Sequence, residues 1–129
     1  IEALGLHERV YLCGARKNIK EVYDMIDFLV IPSFTEGLPY VLLEAMASNI
    51  PILATAVGDI PLLIQDEVTG CLVLPGDREA MTRRMKDLLL CPEHASAMAC
   101  KGRQFVEERY SARKMVEETE KLYRSLISL

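Results

Sequence analysis

The sequence predicts an α/β fold: an open parallel sheet followed by a helical tail. Three observations point there. Short, nearly uninterrupted apolar runs recur through residues 1–76, the pattern of strands buried on both faces. Stretches with helix signals alternate with those runs. From Asp77 onward the pattern turns wholly helical.

Residues 1–6 read as the end of a helix. Residues 9–13, Arg-Val-Tyr-Leu-Cys, form a first β-rich run ended by Gly14. Asn18 is a good N-cap for a helix to about Ile26. Residues 28–31 make a second strand, ended by Pro32-Ser33. A second helix runs from about Pro39, where proline is tolerated in the first turn, to Ser48, and Asn49 closes it in a left-handed conformation. Residues 51–55 make a third strand, closed by Val57-Gly58. Residues 60–65 form a short helix, and residues 70–74 a fourth strand before Pro75-Gly76-Asp77. Asp77 caps a helix through Leu90, Pro92 opens another to about Tyr110, and Ser111 caps the last. That last helix carries Met115, Val116, Leu122, Tyr123, Leu126 and Ile127 on one face. Met81, Met85 and Met115 read as core packing. His7, His94 and the Glu/Lys/Arg mix of residues 107–124 read as solvated surface.

At 129 residues the chain has the size of one domain and enough apolar residues for a sizeable core. A net charge of −4 argues against general affinity for nucleic acid or a membrane surface. An anionic ligand must therefore find local donors. No apolar run approaches the roughly 18 residues that span a bilayer, and no signal peptide is expected. The chain starts on Ile1, so its beginning is read as a cut. Cys13, Cys71, Cys91 and Cys100 lack metal-ligand spacing and read as reduced thiols of a cytosolic protein.

Ligands of open α/β sheets sit outside the carboxyl ends of the strands, here residues 14–16, 33–36 and 56–58. Glu36 falls in that region, and Glu44 stands eight residues later among Leu42, Leu43, Ala45 and Met46. An ionised carboxylate is costly to bury unless something satisfies it. A helix starting near Pro39 crowds the amides of Leu38, Tyr40 and Val41 into its first turn, a natural seat for phosphate. Gly37 lets a ligand approach the backbone closely. Glu44 would lie about 7 Å along the axis beyond that turn, from the helical rise. The carboxylates repel phosphate but accept hydrogen bonds from hydroxyls. A sugar–diphosphate–ribose ligand fits this order. By spacing alone, Glu36 is equally a solvated loop residue, and Glu44 a core carboxylate satisfied by an amide or a lysine.

The run Pro32-Ser33 … Glu36-Gly37-Leu38-Pro39-Tyr40-Val41-Leu42-Leu43-Glu44-Ala45-Met46-Ala47 … Pro51 resembles the E-x7-E signature of glycosyltransferase family 4, retaining enzymes of the GT-B fold. Residues 55–61 (Thr-Ala-Val-Gly-Asp-Ile-Pro) and 69–77 (Thr-Gly-Cys-Leu-Val-Leu-Pro-Gly-Asp) resemble its next two motifs. Residues 10–14, residues 27–33 and the Arg109-Tyr110-Ser111 junction also match. The resemblance covers essentially the whole chain. It implies a Rossmann-like open parallel sheet, the C-terminal half of a GT-B enzyme. Residues 1–129 would be part of the nucleotide-sugar-binding domain, with the site in the sheet portion, residues 1–76, and a helical tail in residues 77–129.

The resemblance also implies an activity in carbohydrate biosynthesis: transfer of a sugar, as a retaining hexosyltransferase, from a nucleotide diphosphate sugar to an acceptor hydroxyl. Glu36, the residue carried over as catalytic, would contact donor-sugar hydroxyls and act as neither base nor nucleophile. Glu44 would hold the ribose. Gly37, Leu38, Pro39, Tyr40 and Val41 would line the diphosphate and sugar, with Ser33 beside them. Gly14 and Arg16 would lie against the base. No metal or other cofactor is expected, the nucleotide sugar being substrate. The parent enzyme would be cytoplasmic or peripheral at a membrane. Three departures stand out: Asn49 and Asp59 where the family usually has Gly, and Leu62 where it usually has an acidic residue, which touches donor-sugar preference. The acceptor-binding N-terminal domain, and the Arg and Lys that grip the diphosphate, have no counterpart here. The fragment is therefore expected to bind nucleotide weakly, to show no turnover and to self-associate. The alternative is a non-catalytic nucleotide-sugar-binding or regulatory module of the same fold.

Overall fold

The structure, a computed structural model, describes residues 1–127. Three parallel strands run in the order β1-β2-β3, with β1 at Leu29–Ile31, β2 at Ile52–Thr55 and β3 at Cys71–Val73. Leu29 pairs with Ile52, and Leu53 with Cys71. The helices are α1 (Ile19–Tyr23), α2 (Tyr40–Ala47), α3 (Ile60–Leu63), α4 (Arg78–Leu90), α5 (Pro92–Arg109) and α6 (Ala112–Ile127).

All four residues of β2 are buried, because both faces of the sheet are covered. The two-residue period of a strand divides them. Ile52 and Ala54 join Tyr23, Leu42, Met46, Ile60 and Val106 in one core. Leu53 joins Cys71, Val73, Leu88 and Met98 in the other. Thus α4 and α5 pack into the sheet's own cores. By contrast, α6 buries none of its residues.

The local end signals act as the sequence implies. The Asp77 carboxylate accepts from the Ala80 amide at 2.9 Å. Asn49 adopts φ 61° after α2. The Ser111 hydroxyl accepts from the Lys114 amide at 3.3 Å. Asn18 differs, since its side chain reaches Glu21 rather than capping the α1 backbone.

Several expectations are corrected. Residues 9–13 form no strand, so the sheet of described residues has three strands and not four. Tyr11 and Leu12 are exposed, and the segment's hydrogen bonds are local ones, such as Val10 N–H to the Leu6 carbonyl. A β-rich run becomes a strand only when a neighbour completes its ladder. Residues 1–6 hold one 3-10 turn, Glu2–Leu4, closed by Gly5. Met115 is exposed, and Met85 lies at the surface rather than in a core. The apolar residues of α6 are likewise exposed.

Candidate functional site

The carboxyl ends of β1 and β2 meet the start of α2, and Glu36 sits half-buried between them. Its loop is held from three directions. Within the loop, the Ser33 hydroxyl donates to Glu36 Oε1 at 2.6 Å. From below, the buried Thr55 hydroxyl at the end of β2 donates to the Ser33 carbonyl at 2.6 Å, with the Ile31 carbonyl 3.3 Å away. From the side, the Asp59 amide donates to the Gly37 carbonyl at 3.3 Å. Gly58 lies against the same peptide with φ +54°, and a Cβ there would collide with the Glu36 carbonyl. One carboxylate oxygen is thus fixed by Ser33, and the other can accept from a ligand hydroxyl.

Past Gly37 the chain enters α2 through Pro39, whose side chain caps nothing. The first backbone bond of this turn runs from the Leu42 amide to the Pro39 carbonyl at 3.0 Å. The amides of Tyr40 and Val41 precede that bond, so they fall among the donors that a helix start cannot satisfy internally. Tyr40 is exposed, and Leu38 and Val41 are at the surface. This uncapped turn is the natural seat for an anionic group.

Glu44 follows one turn later and corrects an expectation. It is not buried among its apolar sequence neighbours but exposed. Leu42, Ala45 and Met46 face the core, while the helical period turns Glu44 outward. Its carboxylate is nevertheless positioned, because the Tyr23 hydroxyl donates to Oε2 at 3.0 Å. Tyr23 is itself buried at the end of α1. Burial, then the Glu44 hydrogen bond and charge, push its phenol up to about 12. It therefore stays a donor across the neutral range.

The structure thus brings together Ser33, Glu36, Gly37, Leu38, Pro39, Tyr40, Val41 and Glu44 around one helix start. Gly14 and Arg16 are a different matter. Both lie in an exposed loop before α1, and no hydrogen bond or ion pair joins that loop to the Glu36 segment among the described residues. Sequence reasoning gave no role to three residues that shape the site. Tyr23 gave no signal, because its partnership with Glu44 spans 21 positions. Thr55 and Gly58 did carry one: they end the third apolar run, where strands hand over to ligand-binding loops. Among the described residues, no group of three His, Cys, Asp or Glu is arranged to hold a metal ion. The four cysteines are free thiols. Burial, then the charges of Asp66 and Asp87, push the Cys71 thiol up to about 11. No helix among these residues is long and apolar enough to cross a membrane.

The site thus consists of a carboxylate at the end of β1, a second on α2, each held by a hydroxyl donor, and an uncapped helix start between them. The family model for glycosyl transferases group 1 matches residues 1–90, and the chain belongs to that family. It is 33% identical over 123 residues to the N-acetyl-alpha-D-glucosaminyl L-malate synthase of Bacillus anthracis, covering 95% of this chain and 32% of that protein. The sucrose-phosphate synthase of Thermosynechococcus elongatus superposes with a TM-score of 0.91 at 29% identity, over 98% of this chain and 32% of that one. The C-terminal domain of a glycosyl transferase group 1 family protein (LpcC) from Francisella tularensis superposes with a TM-score of 0.75 at 26% identity, over 86% of this chain and 58% of that one. The fold is therefore the α/β parallel-sheet fold of GT-B glycosyltransferases. The chain spans about a third of the length of the B. anthracis relative.

Proposed function

We propose that this chain is the donor-binding part of a retaining glycosyltransferase, which moves a sugar from a nucleotide diphosphate sugar to an acceptor hydroxyl. The observation that carries the proposal is the pair of carboxylates, each already held by a hydroxyl donor, on either side of the uncapped start of α2. Membership of the glycosyl transferases group 1 family supports it.

In this reading Glu36 accepts from donor-sugar hydroxyls through the oxygen that Ser33 leaves open. Glu44 accepts from the ribose hydroxyls, with Tyr23 fixing its rotamer. The amides at the start of α2, beside Gly37 and Leu38, meet the diphosphate, because a helix start offers donors and a partial positive charge. Pro39 sets the entry angle of the chain there. Gly14 and Arg16 lie against the base. Retention follows from departure of the diphosphate on the face that the acceptor attacks, so the protein supplies no nucleophile. Residues 1–129 form part of the donor domain, and the acceptor is bound elsewhere in the whole protein. This chain alone binds donor weakly and does not turn over.

A thermal-shift screen of the intact protein against UDP-, GDP- and ADP-sugars tests the reading. One base class should raise the midpoint, and Glu44→Ala should abolish most of that rise. An unchanged rise in Glu44→Ala would sink the ribose assignment, and no rise with any donor would sink the function. Sugar transfer by the 129-residue chain alone would show that the acceptor site is not elsewhere.

A further inference from the structure

We infer that Gly58 is a positioning residue for Glu36: the loop after β2 is the mould that sets the Glu36–Gly37 peptide, and only a residue without a side chain can form it. This deepens the donor-site reading and rests on it. A Cβ on Gly58 would collide with the Glu36 carbonyl oxygen, lie 2.8 Å from the Glu36 carbonyl carbon and lie 3.2 Å from the Gly37 oxygen. All of these atoms are backbone, which cannot swing aside as a flexible side chain can. Gly58 also holds φ +54°, a conformation that L side chains rarely adopt. Its neighbours complete the mould. Asp59 donates its amide to the Gly37 carbonyl at 3.3 Å, and Thr55 donates its hydroxyl to the Ser33 carbonyl at 2.6 Å. Ser33 in turn holds the Glu36 carboxylate at 2.6 Å.

An added methyl group at position 58 cannot coexist with the Glu36–Gly37 peptide where it now stands, so the two loops must separate and the Glu36 carboxylate loses its present placement against β2. Gly58 pairs in neither the β1–β2 nor the β2–β3 ladder, but its neighbours Val57 and Ile60 pack in the core with Ile52 and Ala54. A loss of stability in Gly58→Ala is therefore expected beside the loss of affinity, and the coupling to Glu36 is what separates the two.

The test is a double-mutant cycle on the intact protein, with UDP-, GDP- and ADP-sugars as probes and donor affinity as the readout. Gly58→Ala should weaken binding of whichever donor the parent accepts by roughly tenfold to a hundredfold, the scale of losing a hydrogen bond to a charged group. In a Glu36→Ala background, Gly58→Ala should cost little more, since two residues acting through one contact are not additive. Leu88→Ala, which opens a cavity under the opposite face of the sheet, is the structural control. It should lower the thermal midpoint and leave donor affinity unchanged. If Gly58→Ala does not fold, Thr55→Val decides, since it keeps shape and removes the hydroxyl that holds Ser33. Losses that add fully to Glu36→Ala, or a folded variant with parental affinity, overturn the inference. Parental affinity in Glu36→Ala, or no donor bound by the parent, instead overturns the donor-site reading and the inference with it.

Discussion

The hydroxyl of Tyr23 donates to Glu44 Oε2 at 3.0 Å, tying the end of α1 to the exposed face of α2. A buried phenol thus orients a carboxylate that stands in solvent. An exposed glutamate otherwise samples several rotamers, and fixing one before a ligand arrives lowers the ordering cost of binding.

Removing that hydroxyl gives the first prediction. Tyr23→Phe keeps the ring in its core and frees the Glu44 carboxylate. We expect donor affinity to fall severalfold, and stability to fall by about 1 kcal/mol, the usual net worth of one hydrogen bond. Calorimetric titration and urea unfolding of the same sample would check both. Unaltered affinity with reduced stability would make Tyr23 a structural residue alone.

Alkaline pH acts on two buried groups in the same direction. Cys71 is pushed up to about 11 and Tyr23 to about 12. Both values stand above the ordinary ones, about 8.5 for a thiol and about 10 for a phenol. The unfolded chain therefore loses these protons first. The stability each contributes is fully present below its ordinary pKa and is lost as pH rises through the raised value. The thermal midpoint should start to fall above about pH 8.5 on account of Cys71, and fall further toward pH 12 on account of Tyr23. Cys71→Ala should flatten the first part of the decline and Tyr23→Phe the second. Identical profiles for Cys71→Ala and the parent would contradict this.

Asp77 accepts from the Ala80 amide at 2.9 Å and begins the thirteen residues of α4. Asp77→Ala leaves that amide without its partner and should cost about 1 kcal/mol. Asp77→Asn or Asp77→Ser should restore most of it. Urea midpoints of the three variants would decide, and equal values for Asp77→Ala and the parent would count against the cap.

The apolar stripe of α6 meets solvent, with Leu122, Tyr123 and Leu126 each about 60% exposed. We predict that the 129-residue chain self-associates through it. Light scattering should show a mass above the monomer that falls with dilution. Leu122→Glu with Leu126→Lys should return it toward the monomer. A monodisperse monomer at high concentration would refute the prediction.

Much of this protein was determined locally. Asp77, Pro92, Ser111 and Asn49 mark helix ends because capping and left-handed turns depend on a few neighbouring residues. The three short apolar runs at 28–31, 51–55 and 70–74 contain the strands Leu29–Ile31, Ile52–Thr55 and Cys71–Val73, and the E-x7-E spacing put Glu36 and Glu44 on either side of one helix start. Tertiary structure decided what spacing could not. Residues 9–13 have strand-like chemistry but lack a neighbour, and a strand is a property of a pair. Glu44 has apolar neighbours along the chain yet faces solvent, because the 3.6-residue period and not the linear order decides which side is buried. The contacts of Tyr23 with Glu44, Thr55 with Ser33, and Gly58 with Glu36 join residues roughly twenty positions apart. The sequence by itself supplied two carboxylates and a helix start. Only the packing of separate loops against one another determined how those carboxylates are held, since a hydrogen bond or a close approach is a fact about distance in space.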